Sequence, residues 1–239
     1  MLNMFAIMRK ELRTYFASPV AYVVIAAFLF ISGYLFAILV TAPTGQGEAS
    51  MAIVFGNVAV ILLLIAPALT MRLLAEEQRS GTIELLLTSP VQDWEVVVGK
   101  YLASVVLFLV PVAMTVVFPV ILFRYGNPDI GPMIGGYVGM VLFGAAFLAI
   151  GVLASSLTQN QVIAALVAVA ILLALWLLNA FTSAFRPPIS DALNYLTIIG
   201  HYSDFGRGVI DSKDVIYYLS VIVVALFLGT RALETRRWT

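Results

Sequence analysis

The chain has 239 residues, 62% of them hydrophobic and only 11% charged, with a mean hydropathy of +1.04. Soluble domains carry roughly a quarter charged residues, so this composition describes an all-α integral membrane protein with one transmembrane domain, 1–239. A formal net charge of +0 removes the electrostatic case for a nucleic-acid partner. Zero cysteines exclude disulfides and thiolate metal sites, and one histidine, His201, cannot build a multi-histidine metal centre.

The first element is residues 1–18. At about 100° per residue Leu2, Met4, Phe5, Met8, Leu12, Tyr15 and Phe16 fall on one arc, with Arg9, Lys10 and Arg13 on its flank. Such a helix lies in a membrane interface, its apolar face among acyl chains and its cations among headgroups. It acts either as a topology anchor or as a lever against the bundle. Ser18-Pro19 ends it, because proline disfavours helix in the residue before it and suits the first turn of the next.

A spanning helix needs about 20 apolar residues. Six segments qualify: 19–40, 51–71, 96–123, 133–157, 162–185 and 215–230. The last is short, and Tyr217, Tyr218 and a snorkelling Arg231 extend it to the interfaces. The first run is too long for the apolar core of a signal peptide. Lys100, at the start of the third span, is the one Asp, Glu, Lys, Arg or His within these segments. An even number of spans puts both termini on one side. With both in the cytoplasm, Arg9, Lys10, Arg13, Arg72, Arg79, Lys100, Arg231, Arg236 and Arg237 lie inside. Arg124, Arg186, Arg207 and Lys213 lie outside, and nine against four follows the positive-inside rule.

The charged loop 72–95 between spans two and three is then cytoplasmic. Gly81 can take the left-handed conformation that stops a helix, and Thr82 can cap a following short helix that presents Ile83, Leu86 and Leu87 on one side. Ser89 can cap the third span, with Pro90 at its first position, Gln92 placed for a capping box, and Asp93 and Glu95 favoured by the helix dipole. The loop is either a solvated topology signal or a docking surface.

Pro67 in span two and Pro111 and Pro119 in span three permit kinks. Gly135, Gly139, Gly144, Gly151 and Ser155 in span four, with Ala164, Ala165 and Ala168 in span five, allow close helix approach, most simply for packing within the chain. Residues 186–214 are outside and too apolar for a free loop. His201 there reads most simply as an interfacial hydrogen-bonding residue, with a ligand role as the alternative.

The ordered set Glu77, Arg79, Gly81, Thr82, Glu84, Leu86, Ser89, Pro90 and Val91, followed by Gly99-Lys100, resembles the first cytoplasmic loop of type-2 ABC exporter permeases. The resemblance covers nearly the whole chain. Arg9-Lys10-Glu11-Leu12 with Ser18-Pro19 resembles that family's amphipathic start. The stretch from Gly206 to Asp211 through Arg236-Arg237-Trp238 resembles the gliding-motility and multicopper-enzyme-maturation branch. The resemblance implies a coupling helix seated in a groove of a separate ATPase subunit, with contacts from Glu77, Arg79, Gly81, Thr82, Glu84, Leu86 and Pro90. It implies a pair of permeases, expected as a homodimer, with two ATPases in the inner membrane and an outer accessory protein as a further partner. It also implies short re-entrant or interfacial helices in 186–214, and a pathway along spans two and five, where Asn57 and Asn179 are the polar residues; hydrogen bonds of packing are the alternative for both. No cofactor is expected on this chain, with ATP and Mg bound by the ATPase.

Chemistry supports the separate ATPase. The phosphate-loop pattern fails, because Trp94 stands where the first glycine before Gly99-Lys100 should be. A secondary, ion-coupled carrier would need ionisable groups at membrane depth, and an intramembrane enzyme would need a nucleophile, paired carboxylates or metal ligands there; the spans offer neither. A membrane-anchored assembly subunit is the remaining alternative to an exporter or mechanical transmitter.

Overall fold

A computed structural model describes residues 2–41, 51–82, 91–125, 128–182 and 186–236, and among these every regular element is an α-helix. In chain order they are α1 (Leu2–Ala17), α2 (Pro19–Thr41), α3 (Met51–Thr70), α4 (Ala75–Ser80), α5 (Asp93–Met114), α6 (Val117–Tyr125), α7 (Ile130–Leu157), α8 (Gln161–Thr182), α9 (Ile189–Leu196), α10 (Ile198–Gly206) and α11 (Ser212–Arg236). Six units are long and apolar enough to cross a membrane: α2, α3 running on into α4, α5 running on into α6, α7, α8 and α11. The sixth span corrects the expected 215–230. Its helix runs from Ser212 to Arg236, so Lys213 and Asp214 belong to its first turn.

The fourth span, α7, is the axis of the bundle. Of its most apolar window 78% is buried, against 17% for α8 and 22% for α2 and α11. Apolar burial does not drive helices together inside lipid, so close contact must come from shape. The glycines of α7 supply that shape. A side chain at Gly136 would overlap the Phe55 ring from α3, one at Gly144 the Phe108 ring from α5, and one at Gly139 would stand 2.6 Å from Phe205 of α10. Packing within the chain is therefore what the small residues of span four do.

Span three is two rods. The first, α5, passes through Pro111 and ends at Met114, where Thr115 N–H is shared between the carbonyls of Pro111 (3.1 Å) and Val112 (3.2 Å). Pro119 falls in the first turn of α6, where a missing N–H costs little. The carbonyl four residues before it, Thr115 O, accepts the Tyr137 hydroxyl of α7 at 2.8 Å.

At the end of the bundle where α8 stops, α9 and α10 are two short helices within 186–214, the stretch for which the resemblance implied short helices. The exposed α9 buries none of its residues, whereas α10 buries Ile198, His201, Tyr202 and Phe205. Tyrosines fasten this cap: Tyr202 donates to Phe55 O (3.2 Å), Tyr217 to Leu196 O (2.7 Å) and Tyr218 to Ile198 O (2.8 Å). His201 is buried, a stronger constraint than an interfacial residue has. Its Nε2 faces the Tyr195 carbonyl at 2.9 Å, which can only accept, so Nε2 carries a hydrogen. Its Nδ1 lies 2.6 Å from Oδ1 of the fully buried Asp214, and its ring stacks on Tyr217 at 4.0 Å.

Candidate functional site

At the other end of the bundle the charged loop leaves span two. Span α3 closes at Thr70, and residues 71–74 turn before α4. A six-residue helix cannot hold itself together, since nucleation costs more than so few hydrogen bonds return. Two groups on α7 hold it. Ser155 Oγ accepts from the N–H groups of Leu74 (3.1 Å) and Ala75 (3.0 Å), satisfying donors that a helix start leaves open, and donates to Met71 O at 3.0 Å. Gln78 Nε2 donates to Ser156 O at 3.0 Å. At the far end Gly81 stands at φ 71°, the left-handed cap expected of it.

Beneath α4 lies a buried ion cluster. Lys100, on α5, is 1% exposed, and its Nζ is 2.8 Å from Glu11 Oε1 of α1 and 2.9 Å from Glu77 Oε1 of α4. An ammonium cannot be buried without partners. Here each carboxylate comes from a different helix, so one cation ties the N-terminal helix, the loop helix and span three. Lys10 adds a weaker contact to Glu77 at 3.9 Å from an exposed position. Around the cluster, Tyr15 donates to Leu69 O (2.7 Å), the Arg72 guanidinium lies over the Tyr15 ring at 5.2 Å, and Arg72 Nη1 donates to Ser18 Oγ at 3.3 Å. Burial pushes the Tyr15 phenol far above its ordinary range, so it stays a donor.

The N-terminal helix lies against the bundle and not beside it. A side chain at Gly99 would meet Met4 O at 2.9 Å and Ile7 Cβ at 3.1 Å, so only a glycine lets α1 settle onto α5. The expected single apolar arc is consequently divided. Met8, Leu12 and Tyr15 turn to the protein with Ile7 and Glu11, whereas Phe5 and Phe16 face out. The start of α5 differs too. Gln92, expected three residues into a helix capped by Ser89, is itself the cap of α5 and exchanges hydrogen bonds with Glu95 in a reciprocal capping box.

Of the sequence-derived contact residues, Glu77, Arg79, Gly81 and Thr82 come together around α4. Arg79, Gly81 and Thr82 are exposed, and Arg79 with Thr158, Gln159 and Asn160 lines an open hollow of about 620 Å³. Glu77 is different: its carboxylate is turned inward onto Lys100. Glu84, Leu86 and Pro90, with the short helix expected around them, lie outside the described residues. Asn57 is exposed on α3, and its amide donates to Ile53 O of the same helix at 2.8 Å; Asn179 is exposed on α8. Sequence reasoning missed the partnership of Glu11 with Lys100 and the role of Ser155. One signal was present: a lysine among apolar residues demands a nearby carboxylate, and Glu11 is the one acid on the N-terminal helix.

Six apolar spans, an amphipathic helix fastened across the start of span three, and a charged loop helix presented at one end define a multi-pass helical membrane protein. Residues 5–238 match the ABC-2 family transporter protein family, and the chain belongs to it. It is also 27% identical over 135 residues to a probable multidrug ABC transporter permease, YbhR, from Escherichia coli strain K12, and equally to its counterpart in strain O157:H7. The alignment covers 56% of this chain and 36% of those relatives, so the chain spans about a third of their length.

Proposed function

We propose that this chain is the permease subunit of an ATP-binding cassette transporter, transmitting work from a separate ATPase that docks on the α4 end of the bundle. The observation that carries this is the mounting of α4. Ser155, Gln78 and the Lys100 cluster hold it rigidly, while its far end, Arg79 to Thr82, stands exposed beside a polar hollow. A loop that only marked topology would not need three fastenings. In this reading Arg79, Gly81, Thr82, Glu84, Leu86 and Pro90 face the ATPase. Glu77 acts behind them, handing motion of α4 to Lys100 and so to span three and α1. The α4 end is cytoplasmic, following the excess of Lys and Arg there. ATP and Mg belong to the ATPase, two permease copies pair as a homodimer, and Asn57 and Asn179 lie toward the path. Spans whose charges sit toward their ends suit export of a hydrophobic or lipid-like substrate, or mechanical work on an outer accessory protein.

The test is at the loop. Gly81→Val places a β-branched residue at positive φ, at a cost of about 1–3 kcal/mol, and Glu84→Lys reverses a charge that the resemblance puts against the ATPase. Both should abolish ATPase copurification or permease-stimulated turnover, with detergent-stable yield near wild type. Normal recruitment and stimulation in both variants would refute the coupling role.

A further inference from the structure

The chain has one histidine, and the fold sets an oxygen against each of its ring nitrogens. Nε2 of His201 lies 2.9 Å from the Tyr195 carbonyl, and Nδ1 lies 2.6 Å from Asp214 Oδ1. A backbone carbonyl has no hydrogen to give, so Nε2–H donates. The Nδ1 contact then has two forms: a neutral ring accepting from a carboxylic acid, or an imidazolium donating to a carboxylate. Four features favour the second. An imidazole ordinarily holds a proton more strongly than a carboxylate, by about 2–3 pH units. Asp214 lies in the first turn of α11, where the helix dipole stabilises an anion. The Lys213 ammonium beside it also acts on the Asp214 carboxylate. The His201 ring lies nearly flat on Tyr217, 4.0 Å away and 20° from parallel, and an aromatic face attracts a cation. Burial opposes an isolated charge, but an ion pair in direct contact carries no net charge.

The elements packed on α10 are α3, α7, α8 and α11. Neither α3 nor α8 carries a titratable side chain, and the one on α7, Tyr137, is spent on Thr115. On α11, Tyr217 and Tyr218 donate their hydroxyls to Leu196 O and Ile198 O, and α9 adds the exposed Tyr195. On α10 itself Tyr202 donates to Phe55 O, and Asp204 meets the exposed Lys213 at 3.6 Å. Among the described residues, the buried ionic fastening of α10 to α11 is therefore the His201–Asp214 pair alone.

We infer that the folded protein holds His201 as an imidazolium, and that its second ring hydrogen is a lock closing the α9–α10 cap onto span six. With that hydrogen in place both nitrogens donate. Once it is lost, one nitrogen turns a lone pair on an acceptor, either the buried carboxylate or the carbonyl. The pair then separates and the cap loosens. The fastening is present where the ring is protonated and lost as pH rises. The end of the bundle away from α4 thus closes or opens with the pH of the compartment it faces.

The test uses the full chain in nanodiscs. With only histidine isotopically labelled on its ring nitrogens, the solid-state spectrum reports this one ring. Near neutral pH both nitrogens should show a bonded hydrogen. In Asp214→Asn the amide can donate to Nδ1, so one nitrogen should lose its hydrogen. Cap movement is read by a spin label, placed uniquely because the chain has no cysteine. Ser203→Cys puts it on the exposed face of α10, and Ser80→Cys puts a control label on α4. From about pH 7 to about pH 9.5, above the ordinary histidine value, the mobile population of the α10 label should rise about tenfold or more, as loss of a charge-assisted hydrogen bond warrants. The α4 label should not respond. The rise should vanish in Asp214→Asn, whose ring has no second hydrogen to lose. A wild-type spectrum with one nitrogen lacking hydrogen overturns the imidazolium, and that measurement needs no variant to fold. An α10 label indifferent to pH, or one following the same course in Asp214→Asn, overturns the lock.

Discussion

The two ends of the bundle each bury a nitrogen base against carboxylates. At the α4 end Lys100 divides itself between Glu11 and Glu77, which belong to different helices. At the α10 end His201 meets one carboxylate, Asp214, inside a ring of Tyr195, Tyr217 and Tyr218 whose hydroxyls or rings close the space. A shared ion can change its share: if α4 shifts, Lys100 keeps Glu11 while loosening its hold on Glu77. His201 has no second carboxylate among the described residues, and its other nitrogen is fixed on the Tyr195 carbonyl. The first arrangement suits an end that transmits motion, and the second an end that holds still.

Removing the shared cation should have the largest effect. Lys100→Met strands two buried carboxylates and should cost about 3–5 kcal/mol, read by chemical unfolding in detergent. Adding Glu77→Gln should return part of that loss, and a double variant no better than the single would break the idea of a shared charge. Next comes Asp214→Ala, about 1.5–3 kcal/mol, which leaves His201 Nδ1 unmatched and should make residues between α8 and α11 protease-sensitive before the rest melts. Glu11→Gln should cost less than Asp214→Ala because Lys100 retains Glu77; the reverse order would overturn the contrast between the ends. Ser155→Ala should cost about 1 kcal/mol, the value of a lost helix cap, and lower ATPase stimulation more than stability.

The smallest effect is one of pH. The backbone N–H of Lys213 (3.0 Å) and its ammonium (3.2 Å) hold the exposed Asp211 carboxyl below the usual aspartate range. A lowered value in the folded state means a contribution present above the ordinary aspartate range and lost as pH falls through the lowered value. Asp211→Asn should therefore flatten only the acid end of the stability–pH curve, within the small range of surface pairs.

Span positions were legible because hydrocarbon runs of bilayer length admit one reading, and α2, α7 and α8 begin and end within a few residues of expectation. Gly81 was legible as well, since a glycine between two polar segments names its own backbone conformation. Partnerships across distant parts of the chain were not. Glu11 and Lys100 are 89 residues apart, and Leu74 and Ser155 are 81 apart, separations at which periodicity carries no information. The inward turn of Glu77 was hidden for a related reason: in a charged loop every residue reads as solvated until the lysine beneath it is placed.

The glycines of α7 also set an order of assembly during synthesis. Phe55 and Phe108 emerge on spans two and three before the grooves that receive them exist, since both grooves belong to span four. Glu11, Glu77 and Lys100, by contrast, are all present once the first hundred residues have been made. A nascent chain halted before α7 can therefore close its ion cluster but must leave two aromatic rings in lipid, and Leu74 and Ala75 without the Ser155 hydroxyl that accepts their N–H groups. Insertion of the fourth span is the step that converts a set of separate helices into a protein.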